Sequence, residues 1–99
     1  MYEIEESCTR CLYNRSGVVS IEDVPIIASP GSLPFKSESF SCVCTDNENI
    51  LAEARRVLVS YGYLWLLDDL AGKATRLCCG NGFIFLGSSP GGLAVGVKK

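Results

Sequence analysis

The residues of this 99-residue chain whose type and spacing could do chemistry are its six cysteines. Cys8 and Cys11 stand at C-x-x-C spacing, which lets two thiolates bind one ion from a tight knuckle. Cys42 and Cys44 are two residues apart on a predicted strand, so they project from the same side. The chain contains no histidine. These four thiols therefore predict an all-cysteine tetrahedral zinc site.

The same cysteines also fit three other interpretations. Buried or free thiols are common in a reducing compartment, whereas an oxidising compartment favours disulfides. A redox function would use Cys8, Cys11 and Cys44, because Cys44 directly precedes a predicted helix whose dipole would lower a thiol pKa. Cys78 and Cys79 are consecutive on a predicted strand, so they point to opposite faces and one of them belongs to the core.

The absence of histidine also bears on catalysis. It removes the usual general base and the usual partner that activates a nucleophile. Carboxylates, lysine or thiolate would have to carry any reaction. Asp68 and Asp69 could form a carboxylate pair at a strand end, but adjacent acids are also ordinary in turns. We therefore predict that the protein is not an enzyme.

The element that the sequence defines best is an amphipathic helix over residues 45–62. Thr45 is a suitable N-cap, and Glu48 completes a capping box three residues later. Gly62 supplies the left-handed residue that commonly ends a helix. Its apolar residues recur at helical spacing and form one stripe. They are Ile50, Leu51, Ala54, Val57, Leu58 and Tyr61.

Strands are predicted over most of the remaining chain, at residues 2–6, 18–21, 35–44, 63–67, 74–79, 83–86 and 93–97. Phe40, Cys42 and Cys44 share one face of the strand before the helix. The Gly80-Asn81-Gly82 stretch predicts a hairpin between two of the later strands. Residues 22–34 contain three prolines and a glycine, which favours a surface loop.

These elements predict one α+β domain over residues 1–99. A single amphipathic helix packs on a mostly antiparallel sheet, the C-terminal part is a β-meander, and the N-terminal half is rich in cysteine. The acidic start MYEIEES has no apolar core of a secretory signal, and no apolar run is long enough to span a bilayer. We expect a soluble, cytoplasmic protein that does not bind membranes.

Function follows by elimination. The first hypothesis is a small, non-enzymatic domain that docks on a larger protein or complex and modulates or inhibits it, such as a viral, phage-encoded or mobile-element inhibitor. Its partner-binding surface would be the polar side of the helix, with Glu53, Arg55 and Arg56. The net charge of −2 is spread unevenly, with an acidic first half and a basic second half, which would favour such docking.

Two alternatives remain open at this point. One is a zinc-stabilised accessory domain that binds nucleic acid through its basic C-terminal half, although protein partners are favoured over nucleic acid. The other is a thiol redox protein. Zinc is the only cofactor that the sequence predicts, and the sequence does not define an oligomeric state.

Overall fold

The computed structural model of the chain describes residues 11–21, 24–29 and 31–99. Within these residues, seven strands form one mixed sheet with the order β3-β2-β1-β4-β5-β7-β6. The strands are β1 (Cys11–Arg15), β2 (Val18–Ile21), β3 (Val24–Ile26), β4 (Phe40–Thr45), β5 (Leu58–Leu67), β6 (Phe83–Ser89) and β7 (Leu93–Lys98).

The α-helices of the described chain are α1 (Leu51–Val57) and α2 (Ala74–Gly80). A 3-10 turn precedes each of them, at Glu48–Ile50 and at Asp68–Lys73. Leu51 and Ala54 of α1 and Leu77 of α2 join one hydrophobic core with Leu12 and Leu64 of the strands. Both helices therefore pack on the same side of the sheet, which we call the covered face. The other side is the open face.

Strand direction divides the sheet into two kinds of pairing. β4 runs parallel to both of its neighbours, β1 and β5, whereas β2, β3, β6 and β7 are joined by antiparallel pairs. The chain leaves β1 toward β2 on one side and leaves β4 through α1 toward β5 on the other. The carboxyl ends of β1, β4 and β5 consequently meet at one edge of the sheet.

The helix predicted over residues 45–62 is shorter than expected. Its apolar stripe from Ile50 to Leu58 is buried, as predicted, but the helix ends at Val57 and Leu58 already pairs with Phe40 of β4. Tyr61, the last residue of the predicted stripe, is exposed, and both Tyr61 and the predicted C-cap Gly62 belong to β5. The loop before β4 accounts for this early end. The amide of Ser39 donates to the carbonyl of Val57 at 2.7 Å, so a neighbouring strand takes over the carbonyl that the next helical turn would have used.

The N-terminal cap also differs from the prediction. Thr45 belongs to β4, and Asn47 is the residue whose side chain accepts the amide of Asn49, at 3.0 Å. Thr45 still caps locally, because its hydroxyl accepts the amide of Asn47 at 2.9 Å. The predicted reciprocal contact with Glu48 is therefore replaced by an Asn-based cap two residues later.

Two strands of the predicted C-terminal β-meander are confirmed as the antiparallel pair β6 and β7, but the strand predicted over residues 74–79 is wrong. Residues 74–80 form α2 instead of a strand, because Ala74, Leu77 and Cys78 recur at helical spacing and are buried together. The side-chain amide of Asn81 donates to the carbonyl of Leu77 at 2.8 Å and closes the helix end. Cys78 is a core residue, as expected for one of the two adjacent cysteines, and Cys79 is exposed.

The first half of the sheet is more extensive than predicted. The loop expected over residues 22–34 contributes the edge strand β3, and Pro25 lies on it. A register shift, or bulge, separates Phe40 from Cys42 in β4. Phe40 is buried on the covered face and Cys42 is half-buried on the other, so the prediction that they share a face is wrong. Residues 2–6 and Cys8 lie outside the described residues.

The α+β class is confirmed, with two helices and a seven-stranded mixed sheet in the described chain. The sheet is larger than predicted, since it recruits β3 and sets β4 and β5 side by side in parallel. Parallel pairing matters for function, because it gathers several strand ends and their following loops at one place.

Candidate functional site

A polar cluster of the described chain lies at the carboxyl ends of β1 and β4. These neighbouring parallel strands continue in opposite directions across the sheet, β1 through a tight turn to the antiparallel β2 and β4 through α1 toward β5. Ligands of open α/β sheets bind outside the carboxyl ends of parallel strands. The end of β1 and the loop after β4 are therefore the candidate site.

Asp46 links the two strand ends. Its carboxylate accepts the amide of Ser16 through both oxygens, at 3.2 and 3.0 Å. Its own amide donates to the carbonyl of Asn14 at 3.1 Å. A turn with positive φ at Ser16 and Gly17 brings that amide round to the carboxylate. Both strand ends are consequently fixed to each other with a half-buried carboxylate between them.

Asn14 lies beneath Asp46 and is completely buried. The Thr45 hydroxyl lies 3.2 Å from its side-chain oxygen and donates to it. The Nδ2 donor of Asn14 is buried and has no partner within the described chain. An unsatisfied buried donor is costly, of the order of 1–3 kcal/mol, and such groups concentrate where a structure serves a function other than packing.

Two further acids stand at the same edge. Asp68 and Asp69 directly follow β5, and both are exposed. Because Thr45 pairs with Leu66, Asp68 lies one residue beyond the position level with Asp46. The backbone at Asp68 is left-handed with φ of 54°, and its amide donates to Gly92 at 3.0 Å. The carboxyl edge thus carries Asp46, Asp68 and Asp69, which can accept hydrogen bonds from hydroxyl or ammonium groups.

Sequence reasoning noted the pair Asp68 and Asp69 but missed Asn14 and Asp46. A usable signal existed for Asp46, since it directly follows the apolar run of β4 and precedes a helix. Asn14 left no such signal, because it reads as the first residue of a polar turn. Its burial depends on the parallel pairing of β1 with β4, which brings together residues 31 apart in the chain.

The predicted zinc ligands meet only in part. Cys11 lies opposite Cys42 across β1 and β4, and the sulfurs of Cys42 and Cys44 are 3.8 Å apart on the open face. The Cys42 thiol, hydrogen-bonded to Cys44, holds the pKa of Cys44 below its ordinary value, and Arg15 adds to this effect. The same hydrogen bond raises the pKa of Cys42, as do burial and Cys11.

No group of three or more histidine, cysteine or acidic side chains in the described residues is arranged to hold a metal ion. Zinc binding therefore has no support among the described residues: Cys11, Cys42 and Cys44 form a hydrogen-bonded thiol cluster, and Cys8 lies outside the described chain. Cys44 sits within β4 and not beside a helix start, so a helix dipole does not explain its lowered pKa.

Two of the predicted partner-binding residues, Glu53 and Arg56, make hydrogen bonds within the chain. Glu53 accepts the amide of Leu33 at 2.7 Å, and Arg56 donates to the carbonyls of Phe35 and Leu33 at 2.7 and 2.9 Å. Glu53 and Arg56 are also paired with each other at 2.7 Å. They hold the loop before β4 against α1. Arg55 is exposed, and a partner-binding role for these residues stays a prediction from the sequence.

A fold comparison gives the site its context. A crystal structure from Thermotoga maritima, described as a SAM-dependent methyltransferase and possible histamine N-methyltransferase, matches with a TM-score of 0.52 and 22% sequence identity. The match covers 73% of this chain and 62% of that chain, so it spans less than two thirds of that protein. No protein-family model and no curated protein matches the chain.

This resemblance establishes a methyltransferase-like fold and overturns the functional prediction. The non-enzymatic docking domain, including its viral or phage inhibitor form, is wrong, because the chain has the fold of an enzyme. The prediction that the protein is not an enzyme is wrong for the same reason. It rested on the missing histidine, which a group transfer from an activated cofactor does not require. Among the described residues, no helix is long and apolar enough to cross a membrane.

The printed description of the similar structure names S-adenosylmethionine, and the strand-end cluster of this chain can be compared with the chemistry of that molecule. This molecule carries ribose hydroxyls and an ammonium group, which need acceptors, and Asp46, Asp68 and Asp69 are acceptors at one edge. The residues present therefore fit the group through hydrogen bonds and charge.

Proposed function

We propose that this chain binds S-adenosylmethionine at the carboxyl ends of β1, β4 and β5 and takes part in methyl transfer. The observation that carries the proposal is the position of Asp46, at the divergence of two parallel strands in a methyltransferase-like fold. A ligand site is expected at that point from topology, and the polar cluster described above occupies the same point.

The cofactor, when bound, supplies an electrophilic methyl group on a positively charged sulfur. The protein then has to hold the methyl donor and the methyl acceptor in line. Asp46 is suited to orienting the ligand, because its carboxylate is fixed by the amide of Ser16 and keeps acceptor capacity on both oxygens. Asp68 and Asp69 are exposed and free to face a hydroxyl, an ammonium group or the proton released by the acceptor.

Binding of S-adenosylmethionine to the full chain, followed by isothermal titration calorimetry, tests the proposal directly. Asp46→Asn keeps an acceptor oxygen but removes the charge. We expect it to weaken binding by about 10-fold or more, since a hydrogen bond to a charged group contributes about 1.5–3 kcal/mol. S-adenosylhomocysteine, which lacks the methyl group, should bind the same site.

Glu38→Gln is the matched control. It removes the same charge from an exposed position before β4, at the opposite edge of the sheet. Binding by the control should equal that of the unaltered protein. No heat of binding for either ligand, or an equal loss in both variants, would contradict a cofactor site at the carboxyl ends of these strands.

A further inference from the structure

A cavity lies beside the thiol cluster on the open face, at strands β1 and β2. Its volume is about 350 Å³, and its lining residues are Tyr13, Arg15, Val18 and Ser20. Tyr13 pairs with Cys44 of β4, so the cavity adjoins the strand pair that carries the thiols. Sites for small molecules have volumes of roughly 300–1,000 Å³, and this cavity falls at the small end of that range.

Arg15 gives the cavity its positive charge. Its side chain is exposed, and within the described chain its guanidinium makes no hydrogen bond and no ion pair. A guanidinium binds a carboxylate through two parallel hydrogen bonds. The hydroxyl of Ser20, which lines the same cavity, is a further donor for a carboxylate oxygen. The cavity is therefore suited to a small molecule that carries a carboxylate.

Cys44 is a nucleophile within reach of such a molecule. Arg15 lies one strand across from Cys44 and two residues further along, which places the two Cα atoms about 8 Å apart. The sulfurs of Cys42 and Cys44 are 3.8 Å apart and share a hydrogen bond. That bond lowers the pKa of Cys44 and raises the pKa of Cys42, so Cys44 is the thiolate of the pair and Cys42 keeps its proton. A reactive thiolate and a proton donor therefore lie side by side near Arg15.

We propose that this arrangement is a covalent modification site for small α,β-unsaturated carboxylic acids: Arg15 binds the carboxylate, and the Cys44 sulfur adds to the adjacent double bond. The sulfur forms a bond to one carbon of the double bond, and the π electron pair moves to the other carbon. That carbon takes the proton of the Cys42 thiol, and Cys42 recovers a proton from water. The reaction consumes no oxidant or reductant and has no leaving group.

Two esters that differ in one charge test the proposal on the full, reduced chain. Monomethyl fumarate carries the carboxylate that Arg15 would bind, whereas dimethyl fumarate is uncharged. Fragment mass spectrometry measures the rate of adduct formation at Cys44 and at Cys79, which is exposed on α2. The Cys79 rate corrects for the different intrinsic reactivity of the two esters. We expect the ratio of the Cys44 rate to the Cys79 rate to be about 5-fold higher with the charged ester, the effect of one exposed ion pair.

Arg15→Gln removes the cation and should abolish this preference, while both esters still modify Cys44. Arg55→Gln is the matched control, because it removes the same charge from an exposed position of α1, on the covered side of the sheet. It should keep the full preference. Monomethyl succinate has the same carboxylate and no double bond, so it should slow the modification of Cys44 by monomethyl fumarate and leave Cys79 unaffected.

An equal ratio of the Cys44 and Cys79 rates for the two esters would overturn the proposal, as would the absence of any adduct at Cys44. A preference that Arg15→Gln and Arg55→Gln reduce equally would place its cause in the overall charge of the protein, which also overturns it. Both variants should keep the circular dichroism spectrum of the unaltered protein, because both positions are exposed. S-adenosylmethionine takes no part in these reactions, so their outcome is independent of the proposed function.

Discussion

The two faces of the sheet differ in how deeply their side chains are buried. On the covered face, Phe40, Val43 and Leu64 are completely buried against the helices and the loop before β4. On the open face, Tyr63 lies next to Leu64 in the chain and is half exposed. The covered face is fixed by packing against α1, α2 and the loop before β4, whereas the helices of the described chain do not pack on the open face. Apolar residues alone therefore do not identify a protein's core.

The largest expected difference between the faces is in stability. Phe40 packs edge to face on Phe35 with ring centres 5.1 Å apart, and both are fully buried. Phe40→Ala should lower the free energy of unfolding by about 3–5 kcal/mol, because it removes the ring and leaves a cavity. Tyr63→Ala should cost less than about 1 kcal/mol. Urea unfolding under reducing conditions measures both. Equal losses of unfolding free energy in Phe40→Ala and Tyr63→Ala would contradict this difference between the two faces.

A pair of glycines on neighbouring strands gives the next largest effect. Gly96 of β7 points to the covered face, where an added Cβ would lie 2.8 Å from the Cys78 sulfur and 3.2 Å from the Ile84 carbonyl. Gly87 of β6 has nothing within 4 Å of the same position. Gly96→Ala should destabilise the protein by about 1–3 kcal/mol through overpacking. Gly87→Ala should be neutral or stabilising by about 0.4–1 kcal/mol.

Thermal unfolding of the two glycine variants, followed by circular dichroism in reducing buffer, provides the measurement. They share the same chemical change on paired strands, so a difference between them reports only the space at each face. A stable Gly96→Ala variant would mean that α2 does not press on β7 as the structure shows.

The sequence predicted the packing of the covered face better than its secondary structure. The apolar stripe from Ile50 to Leu58 was identified correctly, since periodicity reports burial directly. The residue at which the helix ends was not identified, because the end depends on a hydrogen bond from the amide of Ser39, which is distant in the sequence. Residues 74–79 were assigned to a strand because Gly80-Asn81-Gly82 favours a hairpin, but tertiary packing of Leu77 and Cys78 decided for a helix.

The candidate site was less predictable for a related reason. Asp68 and Asp69 follow an obvious apolar strand, so their position at a strand end could be inferred. Asn14 and Asp46 become neighbours only through parallel pairing of β1 with β4, and nothing local in the sequence distinguishes parallel from antiparallel partners. The fold likeness depends on this topology, which elimination by residue type could not supply.

The outer surface of the covered side should show a smaller, pH-dependent effect at Glu53. Its pKa is held below the ordinary value by the hydrogen bond from Arg56 and by the amide of Leu33, against an opposing effect of burial. A lowered pKa in the folded state means that its contribution is complete at neutral pH and is lost as pH falls through the folded pKa. Glu53→Gln should cost about 1 kcal/mol at pH 7.

The same variant should lose less stability than the unaltered protein when urea unfolding is repeated between about pH 6 and pH 3, the range around the ordinary glutamate pKa. Glu48→Gln removes an exposed carboxylate from the turn before α1 and should change stability by less than about 0.5 kcal/mol. An acid dependence that Glu53→Gln leaves unchanged would show that this carboxylate does not hold the loop.

The smallest expected difference between the two faces is in the reactivity of their thiols. The hydrogen bond with the Cys42 thiol lowers the pKa of Cys44, whereas burial raises the pKa of Cys78 on the covered face. Thiolates are the reactive form, so in dilute protein iodoacetamide should modify Cys44 with a pH midpoint below that of an ordinary thiol, and Cys78 last. Cys42→Ala removes this hydrogen bond and should move the Cys44 midpoint to higher pH.

Fragment mass spectrometry separates the sites, and the rate at exposed Cys79 provides the internal control. An unchanged Cys44 midpoint in Cys42→Ala would mean that the 3.8 Å contact between the sulfurs does not set its reactivity, leaving Arg15 as its cause.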